Sequence, residues 1–322
     1  MKFPKSMFKL AVTSMLACAI PAALAQSFPS KPIKVVVGFP AGGGTDTFTR
    51  LIAAEMTKEL GESVVVENRS GANGVIGATH VVKSAPDGYT LMMAVSTHIM
   101  NAFSYKDLPF DVIEDFTPIS ALATTPYVLT ANKDFPANTV KELIAMAQSK
   151  PGTINYASSG SGSTPHLFQA LMNEQAGINL THIPYRGGAP SLNDLLGGQV
   201  ALLMQSTVQS LPYIKDKRVK ALAVTSASRS DALPDVPTIA ESGIPGYDAE
   251  MWWAVLGPKG IPAEIQHKLE TVLVGIVNKK EVKEFLASQG ARSIGSSAAQ
   301  LTGIMKDEYA KWEPLFKRGL IN

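Results

Sequence analysis

After the apolar N-terminal segment, short runs of apolar residues alternate with amphipathic stretches along the chain. Residues 35–37 form a valine run that predicts a buried strand, and the valine run at 64–66 predicts a second strand. Between them, residues 48–56 place apolar side chains at helical spacing and predict a helix. Residues 75–83 predict a second helix, and residues 89–95 predict a third strand. This β-α-β-α-β order indicates a mostly parallel sheet covered by helices.

The same alternation continues after residues 108–119, a proline-punctuated segment that is expected to pass towards a second unit. Further strands are predicted at 127–132, 154–157, 180–183, 200–204, 220–224 and 251–256. Three amphipathic stretches at the end of the chain predict helices at 263–278, 281–289 and 298–318. We expect them to pack back on the first unit as scaffold, and we expect Pro314 to kink or end the last helix early.

The first predicted strand runs into the loop FPAGGGTD, which ends in a helix start. Pro40 and the glycines 42–44 end the strand, and Thr45 or Thr47 is the predicted N-cap. Free amides and the positive end of the helix dipole then meet at one place, which predicts an anion site, here for a carboxylate. The loop has neither the lysine of a Walker A loop nor the glycine spacing of a dinucleotide fingerprint. A glycine turn that only joins strand to helix remains an alternative.

Two later segments repeat this arrangement of strand, Gly/Ser-rich loop and helix start. They are residues 158–164 (SSGSGST), followed by Pro165, and residues 185–188 (YRGG). Small polar residues also follow the strands 89–95 and 200–204, and such strand ends share one edge of a parallel sheet. Two α/β units that present helix N-termini to each other predict a clamshell with its ligand between them.

The N-terminus has the features of a secretory leader. Lys2, Lys5 and Lys9 precede an apolar core at residues 10–20, and an A-x-A site ends at residue 25. The core is too short to span a bilayer, so residues 1–25 are predicted to be a cleaved signal peptide that exports the chain to a periplasm. Lipidation at Cys18 is the alternative.

Charge and cysteine content exclude several classes of function. The chain carries 29 Lys and Arg against 27 Asp and Glu, and the leader accounts for three of the lysines, so the mature chain is nearly neutral and nucleic acid is not an expected partner. Cys18 is the only cysteine, which leaves the mature chain without a disulfide or a thiolate. With five histidines and no H-E-x-x-H motif, we expect neither a metal site nor a cofactor.

The ordered motifs of this chain resemble those of the Bug family, the periplasmic solute receptors of tripartite tricarboxylate transporters. The matching segments include VGFPAGGGTDTFTR, VENRSGANGVIGA, APDGYT, SSGSGSTPHL, IPYRGGAPSLNDLLGGQV and WWAVLGPKGIP. The resemblance implies a type II periplasmic-binding-protein fold, two α/β lobes joined by two crossing segments. It implies lobe boundaries at 26–125, 126–248 and 249–322, the last segment returning to the first lobe. It also implies a small carboxylate ligand, a membrane permease as partner and a monomeric receptor.

The resemblance also implies which residues contact the ligand. In the first lobe they are Phe39, Pro40, Ala41, Gly42, Gly43, Gly44, Thr45, Asp46, Ser96, Thr97 and His98. In the second lobe they are Ser159, Gly160, Ser161, Gly162, Ser163, Thr164, His166, Tyr185, Arg186, Gly187 and Gln205. Gln205 departs from the family pattern, in which many members carry an acid. Because an amide cannot balance a ligand ammonium, this departure favours a plain mono- or dicarboxylate over an amino acid.

Several of these residues have a structural alternative. Asp46 could instead be a first-turn acid that stabilises the helix dipole. His98 and His166 could pair with a carboxylate or serve only the fold. Trp252 and Trp253 are expected to pack or to support a hinge.

The sequence suggests two alternative functions. A Ser–His hydrolase built on Ser163 and His166 is disfavoured because no G-x-S-x-G motif or orienting acid is present. An envelope sensor that feeds a signalling partner remains an alternative to transport.

Overall fold

The computed structural model describes residues 28–319; the predicted leader and Cys18 lie outside this range. The strands are β1 (Ile33–Val37), β2 (Val64–Asn68), β3 (Thr90–Val95), β4 (Phe116–Asn132), β5 (Asn155–Ser158), β6 (Thr181–Pro184), β7 (Leu202–Ser206), β8 (Val219–Val224), β9 (Glu250–Pro258) and β10 (Arg292–Ser293). The helices are α1 (Gly44–Leu60), α2 (Val75–Val82), α3 (Thr97–Ser104), α4 (Val140–Ser149), α5 (Thr164–Ala176), α6 (Gly188–Leu196), α7 (Thr207–Lys215), α8 (Ala263–Val277), α9 (Lys280–Ser288) and α10 (Ala298–Lys317). Within 28–319, no helix has the length and apolar content of a membrane span.

The predicted parallel pairing is confirmed in both halves of the chain. Strand β1 pairs in parallel with β2 and β3, and β5 pairs in parallel with β6 and β7. Each of these strands is followed by a helix, so the helices α1, α3, α5, α6 and α7 all begin at carboxyl ends of strands. Because parallel strands end at the same edge, each half of the sheet collects several helix N-termini at one edge.

Strand β4 connects the two halves of the sheet. Its first part, from Phe116 to Pro126, pairs with β9, and its second part, from Tyr127 onwards, pairs with β7 and β8. The segment 108–119 was expected to pass towards a second unit, and from Phe116 onwards it is part of the strand that does so. Pro118 fits into the strand because the register with β9 shifts directly after it, so its missing N–H removes no ladder bond that the strand needs.

The polar residues after β3 and β7 start helices that the sequence reading did not predict. Helix α3 begins at Thr97 with Ser96 as its N-cap residue. Helix α7 begins at Thr207 with Ser206 as its N-cap residue. Serine and threonine favour helix starts as well as loops, so composition alone does not separate the two.

Helix α10 packs on both halves of the molecule, which corrects the expectation that the C-terminal helices pack on the first unit only. Leu301 and Met305 belong to the core beneath β9 and β4, whereas Trp312 and Leu315 belong to the core of the second half. The expectation of an early end at Pro314 is also wrong, because the helix continues to Lys317. Pro314 removes the hydrogen bond that its N–H would donate to the carbonyl of Ala310, and the burial of Trp312 and Leu315 on either side keeps the last turn helical.

Candidate functional site

The loop between β1 and α1 leaves the first amides of the helix without a side-chain partner. The N-cap is Gly43, and no side chain accepts a hydrogen bond from the first turn. The predicted caps Thr45 and Thr47 are therefore wrong: Thr47 donates its own N–H to the carbonyl of Gly43, and the Thr45 hydroxyl lies 3.3 Å from Nε1 of Trp253. First-turn amides with no cap, together with the helix dipole, form an anion site.

Asp46 holds this loop in shape. Its Oδ2 accepts the Gly42 N–H at 2.8 Å and the Arg50 Nε–H at 2.9 Å, and its Oδ1 accepts from Nδ2 of Asn68 at 2.9 Å. The Arg50 hydrogen bond and the two further donors lower the pKa of this carboxyl to about 2 although the side chain is buried. Since its oxygens already accept three bonds from the protein, Asp46 positions the loop and the Gly42 amide is not available to a ligand.

Replacing Asp46 by alanine is expected to lower the free energy of unfolding by roughly 2–3 kcal/mol, because the loop loses a buried carboxylate that accepts three hydrogen bonds. Urea unfolding followed by circular dichroism measures this change. Asp107 is exposed and serves as the matched control, for which a change within about 0.5 kcal/mol is expected. Equal stability of D46A and D107A would show that the carboxylate does not hold the loop.

The loop between β5 and α5 repeats this construction with different partners. Its helix starts at the N-cap Ser163 without a side-chain cap. The Ser163 hydroxyl donates to the carbonyl of Gly160 at 2.5 Å, and the Gly162 N–H donates to Nδ1 of His166 at 3.1 Å. The hydroxyl of Ser163 and Nδ1 of His166 are thus both engaged with the backbone instead of with each other, which removes the geometric basis for a Ser–His hydrolase.

Burial keeps the imidazole rings of both His98 and His166 uncharged near neutral pH. His98 is 2% exposed, its Nε2 lies 2.8 Å from the carbonyl of Val112, and burial lowers its pKa to about 4. His166 stacks on His182 with 3.9 Å between ring centroids, and burial, with a smaller effect of His182, lowers its pKa to about 4. Neither ring offers a positive charge to a carboxylate near neutral pH.

The two buried histidines make stability depend on pH. The unfolded chain binds protons at these rings below about pH 6.5, whereas the folded chain binds them only near pH 4, so stability falls as the pH drops through this window. Between pH 7.5 and pH 5 each ring should remove about 2 kcal/mol from the free energy of unfolding. Urea titrations at both pH values measure the loss, and H98Q should remove the share of the pH dependence that comes from His98, whereas the rings of His166 and His182, whose pKa values burial lowers, keep theirs. Identical unfolding curves of the unmodified protein at both pH values would contradict this reading.

The larger of two cavities that meet at Tyr127 lies against the start of α1. It has a volume of 410 Å³ and combines the α1 start with β4, the α7 start, β9 and α9. Its polar lining comprises Gly42, Gly44, Thr45, Thr47, Thr125, Ser206, Gln209 and Gln289. Its other walls are Phe48, Tyr127, Val208, Met251, Trp253, Phe285, Leu286 and Ala291.

The smaller cavity lies against the starts of α5 and α6. It has a volume of 210 Å³ and shares Tyr127 and Gln209 with the larger one. Its remaining lining is Ser159, Pro165, Gly188, Ser191, Leu203, Met204 and Gln205. Gln205 is 4% exposed, and its Oε1 has no hydrogen-bond partner among the described residues. Burial raises the pKa of Tyr127 to about 12, so its phenol stays protonated and neutral.

Only some of the sequence-predicted residues line these cavities. Gly42, Gly44 and Thr45 line the larger one, and Ser159 and Gln205 line the smaller one. The other predicted residues of the two glycine loops sit beside them outside the lining, namely Phe39, Pro40, Ala41, Gly43, Asp46, Gly160, Ser161, Gly162, Ser163, Thr164 and His166. The predicted contacts Ser96, Thr97 and His98 are buried, and the hydroxyls of Ser96 and Thr97 have no partner within 28–319.

The predicted contacts beside α6 are also outside the lining. The Tyr185 hydroxyl donates to Asp194 at 2.6 Å, and burial together with this carboxylate raises the pKa of Tyr185 to about 12. Arg186 is exposed, and Gly187 is the N-cap of α6 with φ of 119°, a conformation that favours glycine. This loop therefore contributes the backbone of the α6 start to the smaller cavity.

Several residues that line the two cavities come from distant parts of the chain and were not predicted from the sequence. Tyr127 and Gln209 join the two cavities, and Phe285 and Gln289 come from α9, which was expected to be scaffold. Trp253 was expected to pack; it is 8% exposed and also lines the larger cavity, whereas Trp252 packs on the opposite face of β9. The small polar residues after β7 were the one available sign of the α7 start.

No group of three or more His, Cys, Asp or Glu residues within 28–319 is arranged to hold a metal ion. The chemistry of the site therefore consists of backbone amides, helix dipoles, hydroxyls, side-chain amides and apolar walls.

Comparison with known proteins gives concordant matches over nearly the whole chain. Residues 48–320 match the model of the tripartite tricarboxylate transporter family receptor. Protein BugT of Bordetella pertussis is 37% identical over 290 residues, which cover 89% of each chain. The solved periplasmic binding protein BugD is 36% identical with a TM-score of 0.78, covering 91% of this chain and 99% of that one.

A further solved structure, Rpa4515 of R. palustris with adipate, is 36% identical with a TM-score of 0.81, covering 91% of this chain and 99% of that one. At such identity and coverage the similarity extends to the fold, and the predicted periplasmic-binding-protein fold is confirmed.

Proposed function

This chain belongs to the tripartite tricarboxylate transporter receptor family, and we propose that it captures a small carboxylate between two lobes in the periplasm and delivers it to a membrane permease. Members of this family are solute-binding receptors, and Bug proteins are among the relatives of this chain. The observation that carries the proposal is the position of four helix starts, those of α1, α5, α6 and α7, which lack side-chain caps and adjoin two cavities that share Tyr127 and Gln209.

The lobes of the proposed receptor follow the pairing of the sheet. The first would comprise the chain up to residue 125 and from 249 onwards, and the second would comprise residues 126–248. The division is supported by β4, whose partners change from β9 to β7 and β8 after Pro126. Strands β4 and β9 would then be the two crossing segments, and a ligand at the cavities would touch both lobes.

A carboxylate is the ligand class that the site supports best. Uncapped helix starts favour anions, and the α1 start offers backbone donors with no lysine or arginine in the lining of either cavity within 28–319. The relative Rpa4515 was solved with adipate, a dicarboxylate. By analogy, two carboxylates could be held by helix starts of opposite lobes.

A thermal-shift screen tests the proposal. The panel comprises succinate, malate, citrate, adipate, nicotinate, phthalate and glutamate, with the fully methylated esters of all of these acids except glutamate as neutral controls. A ligand present at about 100 times its Kd should add about 2.7 kcal/mol of stability and raise the Tm by several degrees. If an ester stabilised the protein as much as its acid does, the proposed carboxylate receptor would be rejected. It would also be rejected if no acid of the panel stabilised the protein.

Delivery to a permease is separated from signalling by a cellular measurement. Deletion of the gene for this chain should abolish uptake of the radiolabelled ligand even when the permease is expressed from an independent promoter. Restored uptake under that promoter would instead indicate a sensor that only switches on transport genes.

A further inference from the structure

Two histidine rings of the second half lie against the loop between β5 and α5. His166 belongs to the first turn of α5 and His182 to β6, and their rings stack with 3.9 Å between centroids. Both rings and Tyr156 of β5 line a groove of 600 Å³. Within 28–319, none of the residues that line this groove lines either of the two cavities described above. A role of these histidines in ligand binding is therefore indirect, through the loop.

His166 holds the loop at Gly162. Its Nδ1 accepts the Gly162 N–H at 3.1 Å. His166 is the third residue of α5, and a side chain at this position that reaches back to a backbone N–H ahead of the helix repeats one half of a capping box. Because a backbone N–H can only donate, Nδ1 carries no proton and the proton of the ring lies on Nε2. The bond therefore requires a neutral ring in one tautomer.

The surroundings of His166 keep its ring in this neutral form. Burial, with a smaller effect of His182, lowers the pKa of His166 to about 4. Glu174 is the only charged residue in the lining of the groove within 28–319, and its carboxylate pairs with Arg318. Near neutral pH the Gly162 N–H therefore has an unprotonated nitrogen as its acceptor.

His182 holds the other end of the loop through Ser158. Its Nε2 lies 2.7 Å from the Ser158 hydroxyl oxygen, which also accepts the Gly160 N–H at 3.1 Å and lies 3.0 Å from the Gly160 carbonyl oxygen. Since the rings of His166 and His182 stack on each other, one aromatic pair fixes the loop at both Gly160 and Gly162.

The loop held in this way borders the smaller cavity. Ser159 and Pro165, at its two ends, line that cavity, and the α5 start has no side-chain cap. Amides at a helix start bind an anion only when they point at it, because a hydrogen bond weakens steeply as it bends. A Cβ at Gly162 would also lie 3.6 Å from the hydroxyl oxygen of Ser104, the last residue of α3. Displacement of Gly162 would therefore change both the binding surface and the packing against the first half.

We propose that His166 is a positioning residue for ligand binding, which acts on the β5–α5 loop through Gly162 and does not touch the ligand. The inference rests on the proposed carboxylate function, and it replaces the direct ligand contact that the sequence predicted for His166. Nδ1 supplies the acceptor that keeps Gly162 in place, and the stack on His182 fixes the plane of the ring. Affinity then depends on the acceptor and not on the bulk of the ring.

Two variants of equal shape isolate the acceptor. Asparagine places an oxygen near the position of Nδ1, leucine places a methyl group there, and both remove the ring. His166→Leu is expected to weaken binding roughly five- to tenfold, whereas His166→Asn should stay within about twofold of the unmodified protein. His80→Leu changes a half-buried histidine of α2 outside both linings and should leave the affinity unchanged. Calorimetry measures these affinities with adipate and with every other acid of the thermal-shift panel that stabilises the protein.

The position of the loop is also measurable without a ligand. Long-range proton–nitrogen correlation spectra of the unmodified protein should show His166 with its proton on Nε2 near neutral pH. Hydrogen exchange of the Gly162 amide should be roughly tenfold faster in H166L than in H166N. A proton on Nδ1 would exclude the bond to Gly162 and overturn the proposal, whether or not the variants fold.

The outcomes separate this proposal from the receptor function. Equal affinities of H166L and H166N, whether both are unchanged or both are weakened, would overturn the role of the acceptor while the carboxylate receptor stands. If no acid of the panel binds the unmodified protein, the carboxylate function fails and the role of His166 in binding fails with it. The tautomer and the exchange of the Gly162 amide then still decide whether His166 holds the loop.

Discussion

Gly44→Val is expected to lower the affinity for the carboxylate ligand between tenfold and roughly a hundredfold, with the fold preserved. Gly44 is the first residue of α1 and lines the larger cavity. A Cβ at this position would meet no atom within 4 Å, so valine fits the folded protein. Its branches would occupy the space from which a carboxylate approaches the first-turn amides, and several charge-assisted hydrogen bonds of about 1.5–3 kcal/mol each would lengthen or be lost.

Graded and matched variants make this result specific. Gly44→Ala adds a single methyl group and should cost less than about fivefold in affinity. Gly275→Val changes an exposed helical glycine of α8, outside both linings, that also has open space around its Cβ position. Calorimetry should show unchanged affinity for G275V, and the circular dichroism of all three variants should match that of the unmodified protein. Unchanged affinity in G44V would remove α1 from the binding site.

Trp312→Ala is expected to lower the free energy of unfolding by about 3–5 kcal/mol. This side chain is completely buried, stacks on Phe168 of α5 with 5.9 Å between ring centroids, and donates from Nε1 to Glu308 at 2.8 Å. Its removal leaves a large cavity where α10 meets the core of the second half.

Trp312→Phe separates packing from the hydrogen bond, because it keeps a ring against Phe168 and should cost roughly half as much as the alanine variant. Urea unfolding monitored by circular dichroism measures both variants. Loss of less than about 1 kcal/mol in W312A would show that α10 contributes little to the second half. A separate, earlier unfolding step confined to the second half would show that α10 couples the two cores.

The parts of the fold that were predicted correctly depend on local patterns. The valine runs at β1 and β2 identify two parallel strands, of which β1 is buried and β2 lies at the edge of the sheet with Val65 exposed, and Gly61 ends α1 in a left-handed conformation with φ of 73°. The glycine loop before α1 was likewise recognisable as a helix start from residues adjacent in sequence, although a threonine cap was expected there and Gly43 is the N-cap.

The parts that were missed depend on partners far apart in sequence. The role of Asp46 requires Asn68, and the orientation of Thr45 is linked to Trp253, more than 200 residues later. The wall from α9 could not be predicted, since its helical pattern identifies an apolar face but not the surface that this face covers. Pro314 illustrates the converse case, in which tertiary burial outweighs a local breaking tendency.

The uncharged lining has a consequence for release. Attraction between a helix dipole and an anion is strong where the local dielectric is low and weak in bulk water. In the proposed receptor, parting of the lobes would admit solvent, and the bound acid would then lose most of this attraction. Unloading at a permease would require no proton and no exchange of counterions, only the work of opening.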